Sequence, residues 1–209
     1  MTKTRYRMLL WLVLLATATV VAAQNVEVTP FAGGQINGGL NVNSAFFHRI
    51  EVQNAVNYGA SLGYLLGEHT GIEFMWSHNK ANTVAQPVVG SSIHIFNLQT
   101  NQFLGDFLYH FADRQTRLRP FMMLGLGAGH LAPDNRGTGI TRFVFALGGG
   151  LKYNFSPHLG ARLQAKWSPT FITTTSGGIW CDPFFGCWPV GNNHFLNEFD
   201  LTAGLTFRF

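Results

Sequence analysis

The sequence has few charged residues. Asp, Glu, Lys and Arg make up 11% of its 209 residues, whereas soluble domains average about 25%. Disordered chains and coiled coils depend on high charge or low hydrophobicity, and 46% of this chain is hydrophobic. The composition therefore excludes both classes.

The sequence also lacks a basic region suited to nucleic acid. Its formal net charge is +4, but three of the 14 basic residues, Lys3, Arg5 and Arg7, precede the first apolar run. The remainder is close to neutral. Binding to a phosphate backbone needs clustered positive charge, so we expect no nucleic-acid partner.

Only one long hydrophobic run is present, at Met8–Val21, after the basic start. The following Val21-Ala22-Ala23 suits a signal peptidase, which needs small residues before the cut. Residues 1–23 are therefore predicted to be a cleaved signal peptide, and residues 24–209 a single domain. The alternative is an uncleaved membrane anchor, which needs about 20 apolar residues. No second apolar run is long enough to predict a transmembrane helix.

Cysteine is scarce, with only Cys181 and Cys187. A zinc site needs four ligands at characteristic spacings, and the surrounding sequence does not supply them. Because the signal peptide directs the chain to an oxidising compartment, we expect a disulfide between the two cysteines.

The clearest pattern in the chain is alternation. From Leu159 to Trp167 every odd position is apolar, while the even positions carry Gly, Arg, Gln and Lys. A period of two predicts a β-strand with one apolar and one polar face. Similar segments predict eight strands, at about 25–35, 55–66, 70–78, 101–111, 118–130, 141–155, 159–168 and 199–209.

The connections between these segments alternate in length. Short ones fall near Gly67–His69, Ala112–Arg117 and Ser156–His158, and long ones fall at about 36–54, 79–95, 131–140 and 171–194. Tight turns at one end and long loops at the other predict an antiparallel up-and-down barrel. The predicted fold class is all-β.

Alternation alone leaves open which face meets solvent, because a lipocalin-like soluble barrel has the same period with its apolar residues inside. Two features favour a transmembrane barrel. The strands hold few charges, all on the polar face. The apolar face ends in aromatic residues, as expected at a membrane interface; these are Tyr109, Phe111, Tyr153, Phe155, Phe207 and Phe209.

The chain resembles the OmpA-like eight-stranded outer-membrane barrel domains of Gram-negative bacteria. The resemblance rests on the leader, the eight alternating segments, the opening Val28-Thr29-Pro30-Phe31-Ala32-Gly33 and the closing Leu205-Thr206-Phe207-Arg208-Phe209. It implies contact with outer-membrane lipid, extracellular loops and periplasmic mature termini. It also implies that the barrel-assembly machinery reads Phe207 and Phe209.

A barrel of eight strands is only wide enough for side chains to fill it. Buried charges need partners, so the polar face predicts an internal ion-pair network. Its function is either a stabilising plug or a narrow gate for small ions, the latter favoured by space left by inward Gly125, Gly127, Gly129, Gly148 and Gly150. The predicted network comprises Glu27, Glu73, Asp106, Asp200, Arg119, Arg142, Lys152, Arg162, Lys166 and Arg208.

The sequence offers no convincing catalytic or metal site. Some barrels of this size deacylate lipid A with a His and a Ser two residues later, but Leu196 follows His194 at that spacing. Without the hydroxyl no acyl-enzyme forms. Loop histidines are the alternative for a transition metal, yet we expect neither a metal nor a cofactor. These histidines are His48, His78, His94, His130 and His194.

The last long loop places aromatic residues around the two cysteines. Trp180, Phe184, Phe185 and Trp188 are candidates for contact with an extracellular ligand, because rigid aromatics lose little entropy on binding. The alternative is a folded cap over the barrel mouth. The sequence thus predicts a non-enzymatic outer-membrane protein with a structural or surface-interaction role; a narrow, porin-like channel is the alternative, and an envelope lipid hydrolase is disfavoured.

Overall fold

In the computed structural model, the chain is built from β-strands joined in one sheet and one small hairpin. The structure describes residues 25–41, 47–87, 93–134, 139–171, 179–182, 186–189 and 195–209. Their strands are β1 (Val26–Asn37), β2 (Gly39–Asn41), β3 (Phe47–Val52), β4 (Ala55–Leu65), β5 (Thr70–Pro87), β6 (Ile93–His110), β7 (Leu118–Pro133), β8 (Ile140–Asn154), β9 (Leu159–Phe171), β10 (Ile179–Asp182), β11 (Gly186–Pro189) and β12 (Phe195–Arg208).

Eight of these strands close into an antiparallel barrel in the order β1, β4, β5, β6, β7, β8, β9, β12 and back to β1. The closing ladder pairs Glu27 with Arg208 and Asn37 with Glu198. A closed barrel satisfies the backbone hydrogen bonds of all its strands, which a lipid environment requires. The predicted eight-stranded antiparallel barrel is confirmed.

The turns and loops separate at the two ends of the barrel. The short connections 66–69, 111–117 and 155–158 define what we call the turn end, which also holds the start of β1 and the end of β12. The opposite end is called the loop end. The predicted short turns are confirmed, and no helix in the described part of the chain is long and apolar enough to cross a bilayer.

The structure differs from the prediction at the loop end. The segment 79–95 was expected to be a loop, but β5 and β6 are each 18 residues long and pair from Thr70↔Tyr109 to Ala85↔Ile93. In addition, β2 and β3 extend the sheet along β5. A strand needs about 9–11 residues to cross a membrane, so this part of the sheet projects beyond it.

The wall of the barrel alternates between an apolar outside and a packed inside. Along β12, Leu201 is 54% exposed whereas the neighbouring Asp200 and Thr202 are 1% and 6% exposed. The aromatic residues near the turn end also point outward, and Tyr109 packs edge-on against Phe111 with ring centroids 5.4 Å apart. A continuous apolar exterior is rare in soluble monomers and suits acyl chains.

The inward glycines of β7 and β8 do not leave free space, so that expectation is wrong. A Cβ atom at Gly127 would lie 1.9 Å from the Phe103 carbonyl oxygen, and one at Gly150 would lie 2.0 Å from that of Leu163. These glycines allow neighbouring strands to approach closely. At Gly125 the space is filled by Asp106.

Candidate functional site: the barrel lumen and its ends

The lumen near the turn end is built around Glu27. This β1 carboxylate is 3% exposed and accepts hydrogen bonds from Lys152 and from Arg208, whose Nη2 lies 2.8 Å from Glu27 Oε1. Arg208 also donates to Asn154 Oδ1 at 3.3 Å. Two cations from β8 and β12 therefore share one acid from β1, which ties the closing strands together across the lumen.

A second ion pair lies further into the lumen. Arg162 donates from Nη1 to Glu73 Oε2 at 2.5 Å. The Arg162 guanidinium also lies over the Phe121 ring, 4.7 Å from its centroid, and the Lys152 ammonium lies 5.7 Å from the same centroid. The ring face attracts both cations, so Phe121 links the first two ion pairs.

Asp106 stands apart from these pairs. It is 3% exposed, it faces Glu73 on the neighbouring strand, and neither carboxylate oxygen has a hydrogen-bond partner. Its Oδ1 fills the space beside Gly125, since a Cβ atom added to that glycine would lie 1.8 Å from it. Glu73 Oε1 and Arg162 Nε and Nη2 also lack partners. Buried polar groups of this kind require water or a proton.

A larger network fills the lumen toward the loop end. Lys166 Nζ lies 3.1 Å from Asp200 Oδ2 and donates to Gln102 Oε1 at 3.0 Å. Asn57 donates to Asp200 at 2.8 Å, and Gln102 donates to Glu198 at 2.5 Å. Glu198 was missed by the sequence analysis, although it shares the face of Asp200 in the alternation of β12.

Arg119 has a different role from the one predicted. It is fully buried but forms no ion pair with a carboxylate of the described residues; instead it donates to the carbonyl oxygens of Ala112 at 3.1 Å and Glu68 at 2.7 Å. It therefore ties two turns at the turn end. Arg142 lies half-buried near the loop end, with its Nε unpartnered.

The lumen is not wholly polar. Near the loop end, inward side chains of five strands form a buried cluster that we call the apolar layer, against which Ala55 and Ile140 also pack. Each member is at most 7% exposed. A second cluster, centred on Leu104, Met123 and Phe121, lines the wall formed by β5 to β8. The apolar layer consists of Val52, Ala81, Leu98, Leu131 and Leu196.

The remaining predicted residues lie outside the lumen. Phe207 and Phe209 are on the outer surface at the turn end, 39% and 57% exposed. Cys181 and Cys187 are register partners of the β10–β11 hairpin, as are Trp180 and Trp188. Phe184 and Phe185 lie outside the described residues, as do residues 1–23.

Neither Leu196 nor the neighbouring Ser77 and His78 forms a catalytic pair. Leu196 points into the lumen as part of the apolar layer. Ser77 is buried, whereas His78 is on the other face and lies 2.9 Å from Asn101 Oδ1. His194 lies outside the described residues. Among the described residues there is no group of three His, Cys, Asp or Glu placed to hold a metal.

The sequence matches the family described as outer membrane protein beta-barrel domain over residues 13–209. The chain belongs to this family. Membership implies a location in the bacterial outer membrane, and the expected resemblance to outer-membrane barrels is confirmed. No curated protein matches the sequence.

Solved structures with the same fold include three outer-membrane barrels. Neisserial surface protein A is 12% identical, with 88% of this chain and 97% of that chain covered and a TM-score of 0.58. OprG from Pseudomonas aeruginosa is 9% identical, with 90% and 97% covered and a TM-score of 0.60. AlkL, solved in lipid bilayers, is 14% identical, with 89% and 90% covered and a TM-score of 0.53. At these identities the likeness shows the fold alone.

Proposed function

We propose that this barrel is a non-enzymatic outer-membrane protein that stabilises the envelope and presents its loop end to the outside of the cell. The observation that carries the proposal is the filled lumen. Two ion pairs occupy the turn-end half, and the loop-end half holds the Lys166–Asp200 pair and the apolar layer. A lumen packed in this way supports a scaffold rather than an open pore.

Planar-bilayer recording tests the filled lumen directly. The purified, folded barrel should give no large, steady conductance at either polarity. A known open porin reconstituted in the same bilayer is the control for insertion. Stable nanosiemens-scale steps from the protein would contradict the proposal.

The proposed orientation places the loop end outside and the turn end in the periplasm, after cleavage of residues 1–23. Support comes from the short turns and long loops expected of bacterial barrels and from the projecting β5–β6 hairpin. The test uses single cysteines at Gly90 or Gln115 in a chain lacking Cys181 and Cys187. A membrane-impermeant maleimide on intact cells should label position 90 only; labelling of position 115 alone would reverse the orientation.

The β10–β11 hairpin is the proposed contact surface for an extracellular ligand, with Trp180, Phe184, Phe185 and Trp188 as candidate contacts. Support comes from the register that sets Trp180 opposite Trp188 and Cys181 opposite Cys187. Cells that carry a Cys181→Ser variant should no longer bind the extracellular ligand, although the variant keeps its heat-modifiable folding. Unchanged binding would exclude this hairpin as the contact surface.

A narrow ion path is the second candidate function. It is favoured by the unpartnered oxygens of Asp106 and Glu73 and the unpartnered nitrogens of Arg162, since these groups need water inside the lumen. Small, brief conductance steps that disappear in an Asp106→Asn variant, with the fold intact, would favour this path over the scaffold.

Catalysis is disfavoured by the apolar Leu196 at the position where a lipid deacylase needs its serine. Mass spectrometry of lipid A from cells with and without the protein should therefore show the same acylation. A missing acyl chain that depends on the protein would contradict the proposal.

A further inference from the structure

The turn end carries a basic pocket that shares only Arg208 and Asn154 with the lumen network described above. A cavity of about 520 Å³ lies between the 111–117 turn, the 155–158 turn and the end of β12. Its basic residues are Arg114, Arg117, Arg208 and His158, and no Asp or Glu side chain lines it among the described residues. We call this cavity the rim pocket.

Hydrogen bonds between neighbouring turns hold the walls of the rim pocket in place. The Asn154 backbone N–H donates to the Arg117 carbonyl at 2.7 Å, and its side chain donates to the Thr116 carbonyl at 3.0 Å. The Arg208 backbone N–H donates to the His158 carbonyl at 2.9 Å, and His158 Nδ1 lies 3.2 Å from the Arg208 carbonyl. A site held in this way loses little entropy when a ligand binds.

The positive charge of the rim pocket is only partly compensated. Arg208 is paired with Glu27, but the Arg114 guanidinium donates only to neutral oxygens, at Gly67, Asn25 and Leu65. The exposed Arg117 forms no ion pair within the part of the chain that the structure describes. Ser156 Oγ accepts two backbone N–H groups, which leaves its own hydrogen free to donate. Such a set suits a phosphate or carboxylate.

A second cavity lies on the outer wall, next to this pocket along the chain. It has a volume of about 830 Å³, and its lining includes the small side chains of Ala161 and Ala203 together with Arg162. Larger side chains also line it, among them Leu151, Tyr153, Leu163 and Leu205. Leu118 and Tyr153 line this cavity and are the chain neighbours of Arg117 and Asn154, which line the rim pocket. The apolar groove, as we call the second cavity, therefore lies beside the basic pocket.

We propose that the rim pocket and the apolar groove together bind one anionic glycerophospholipid, with its phosphate against Arg117 and an acyl chain over Ala161 and Ala203. The proposal rests on the proposed orientation, which places this end in the periplasmic leaflet. Phe155 and Phe209 border the pocket, 59% and 57% exposed. Aromatic residues of this kind mark the level of lipid headgroups.

Native mass spectrometry of the detergent-solubilised barrel tests the proposal. Phosphatidylglycerol and phosphatidylcholine with identical acyl chains are offered together, with and without excess inorganic phosphate. Phosphatidylglycerol should be retained several-fold more, and Arg117→Gln should lower that preference by about five-fold, since one basic residue near a lipid surface contributes about 1 kcal/mol. Ala203→Leu, which fills the groove, should lower retention of both lipids.

Matched controls separate the site from general effects. Lys80→Gln removes a cation near the loop end, and Gly34→Leu adds bulk at an outward position with open space around it; both should retain lipid like the parent. Equal retention of the two lipids by the parent chain, or an unchanged preference in Arg117→Gln, would overturn the proposal. Inorganic phosphate that binds without any retained lipid would also overturn it and indicate a free-anion site. Because the assay uses detergent, a reversed orientation would not affect its result.

Discussion

At the scale of single residues, Asp106 and Gly125 are packed as one unit. The carboxylate of Asp106 occupies the space that a side chain at Gly125 would need, and the Ala146 Cβ would lie 3.3 Å from an added methyl group. Any residue larger than glycine at position 125 therefore displaces a buried acid toward Glu73, which it already faces.

A Gly125→Ala variant should be destabilised by about 1–3 kcal/mol, the usual cost of overpacking. The measurement is urea unfolding from lipid vesicles, followed by tryptophan fluorescence. Gly34→Ala is the matched control because no atom lies within 4 Å of its added Cβ; its stability should change by less than about 0.5 kcal/mol. A Gly125→Ala barrel as stable as the parent would show that Asp106 moves without cost.

Glu27 compensates two buried cations. Glu27→Gln should cost roughly 3–5 kcal/mol, because it leaves Lys152 and Arg208 without their acid in a buried site. Lys152→Met should cost less, since Arg208 still lies 2.8 Å from Glu27. The same unfolding assay measures both, and equal costs would contradict the idea that the two cations share Glu27.

Alternation in the sequence was enough to predict which charged residues point inward, but not which of them pair. The predicted set included Arg119, which instead binds turn carbonyls, and omitted Glu198, which lies two positions before Asp200 on the same face. Pairing depends on the register between strands distant in sequence, such as Asp200↔Lys166. A period of two within one strand carries no information about that register.

At the scale of elements, the β5–β6 hairpin is where the sequence pattern failed. Beyond Asn79 the outward side chains include Lys80 and Asn82, because this part of the hairpin lies beyond the lipid and its outer face meets water. The alternation that marks a membrane strand therefore fades, although the ladder continues to Ala85↔Ile93. In this part of β5, only the inward side chains, such as Ala81 and Thr83, are buried and stabilise the strand.

The projecting hairpin is joined to the end of β7 through Asp134. Asn97 donates to Asp134 from its side chain at 2.9 Å and from its backbone at 3.2 Å, and Lys80 lies 3.1 Å away. The Asn97 side chain, assisted by Lys80, lowers the pKa of Asp134 below its ordinary value. A lowered pKa contributes stability above the unfolded value of about 3.8, and this contribution is lost as the pH falls through the folded value.

An Asn97→Ala variant should therefore raise the pKa of Asp134 toward its ordinary value, as measured by carbon NMR titration of the carboxyl group. Its stability loss at neutral pH should be below about 1 kcal/mol, because the pair is exposed, and should shrink as the pH falls below the folded pKa. An unchanged titration would show that Asn97 does not hold this carboxylate.

The β10–β11 hairpin places its two cysteines directly opposite each other. Cross-strand partners have Cα atoms about 4.5–5.5 Å apart, within the range that a disulfide spans. Cys181 and Cys187 should therefore resist alkylation until the protein is reduced, with a mass gain of two alkyl groups afterwards. Alkylation of both thiols without reductant would contradict the predicted disulfide.

At the scale of the whole molecule, the barrel closes by pairing its first and last strands, β1 and β12. Phe207 and Phe209 stand on the outer face of this closure. If the assembly machinery reads them, Phe209→Ala should lower the amount of heat-modifiable protein in the outer membrane several-fold, while the refolded variant keeps its unfolding midpoint in vesicles. An unchanged amount in cells would exclude Phe209 as part of the assembly signal.

The barrel itself was predictable from the sequence because each spanning strand separates two different environments. From Leu159 to Trp167, for example, apolar residues alternate with polar residues or glycine. The layering of the lumen was not. Leu98 and Leu131 point inward, but leucine is also common on the lipid-facing side, so the residue type alone does not show which way they point. Only the closed geometry shows that they meet Leu196 across the barrel axis.

The length of the β5–β6 hairpin has a consequence for any large molecule that approaches the cell. Each of its two strands is about seven residues longer than the strand length needed to cross a membrane, which corresponds to about 23 Å along the strand direction. On the proposed orientation, this part of the hairpin forms a ridge that stands clear of the surrounding headgroups. A large molecule such as an antibody could then contact this ridge without reaching the lipid surface.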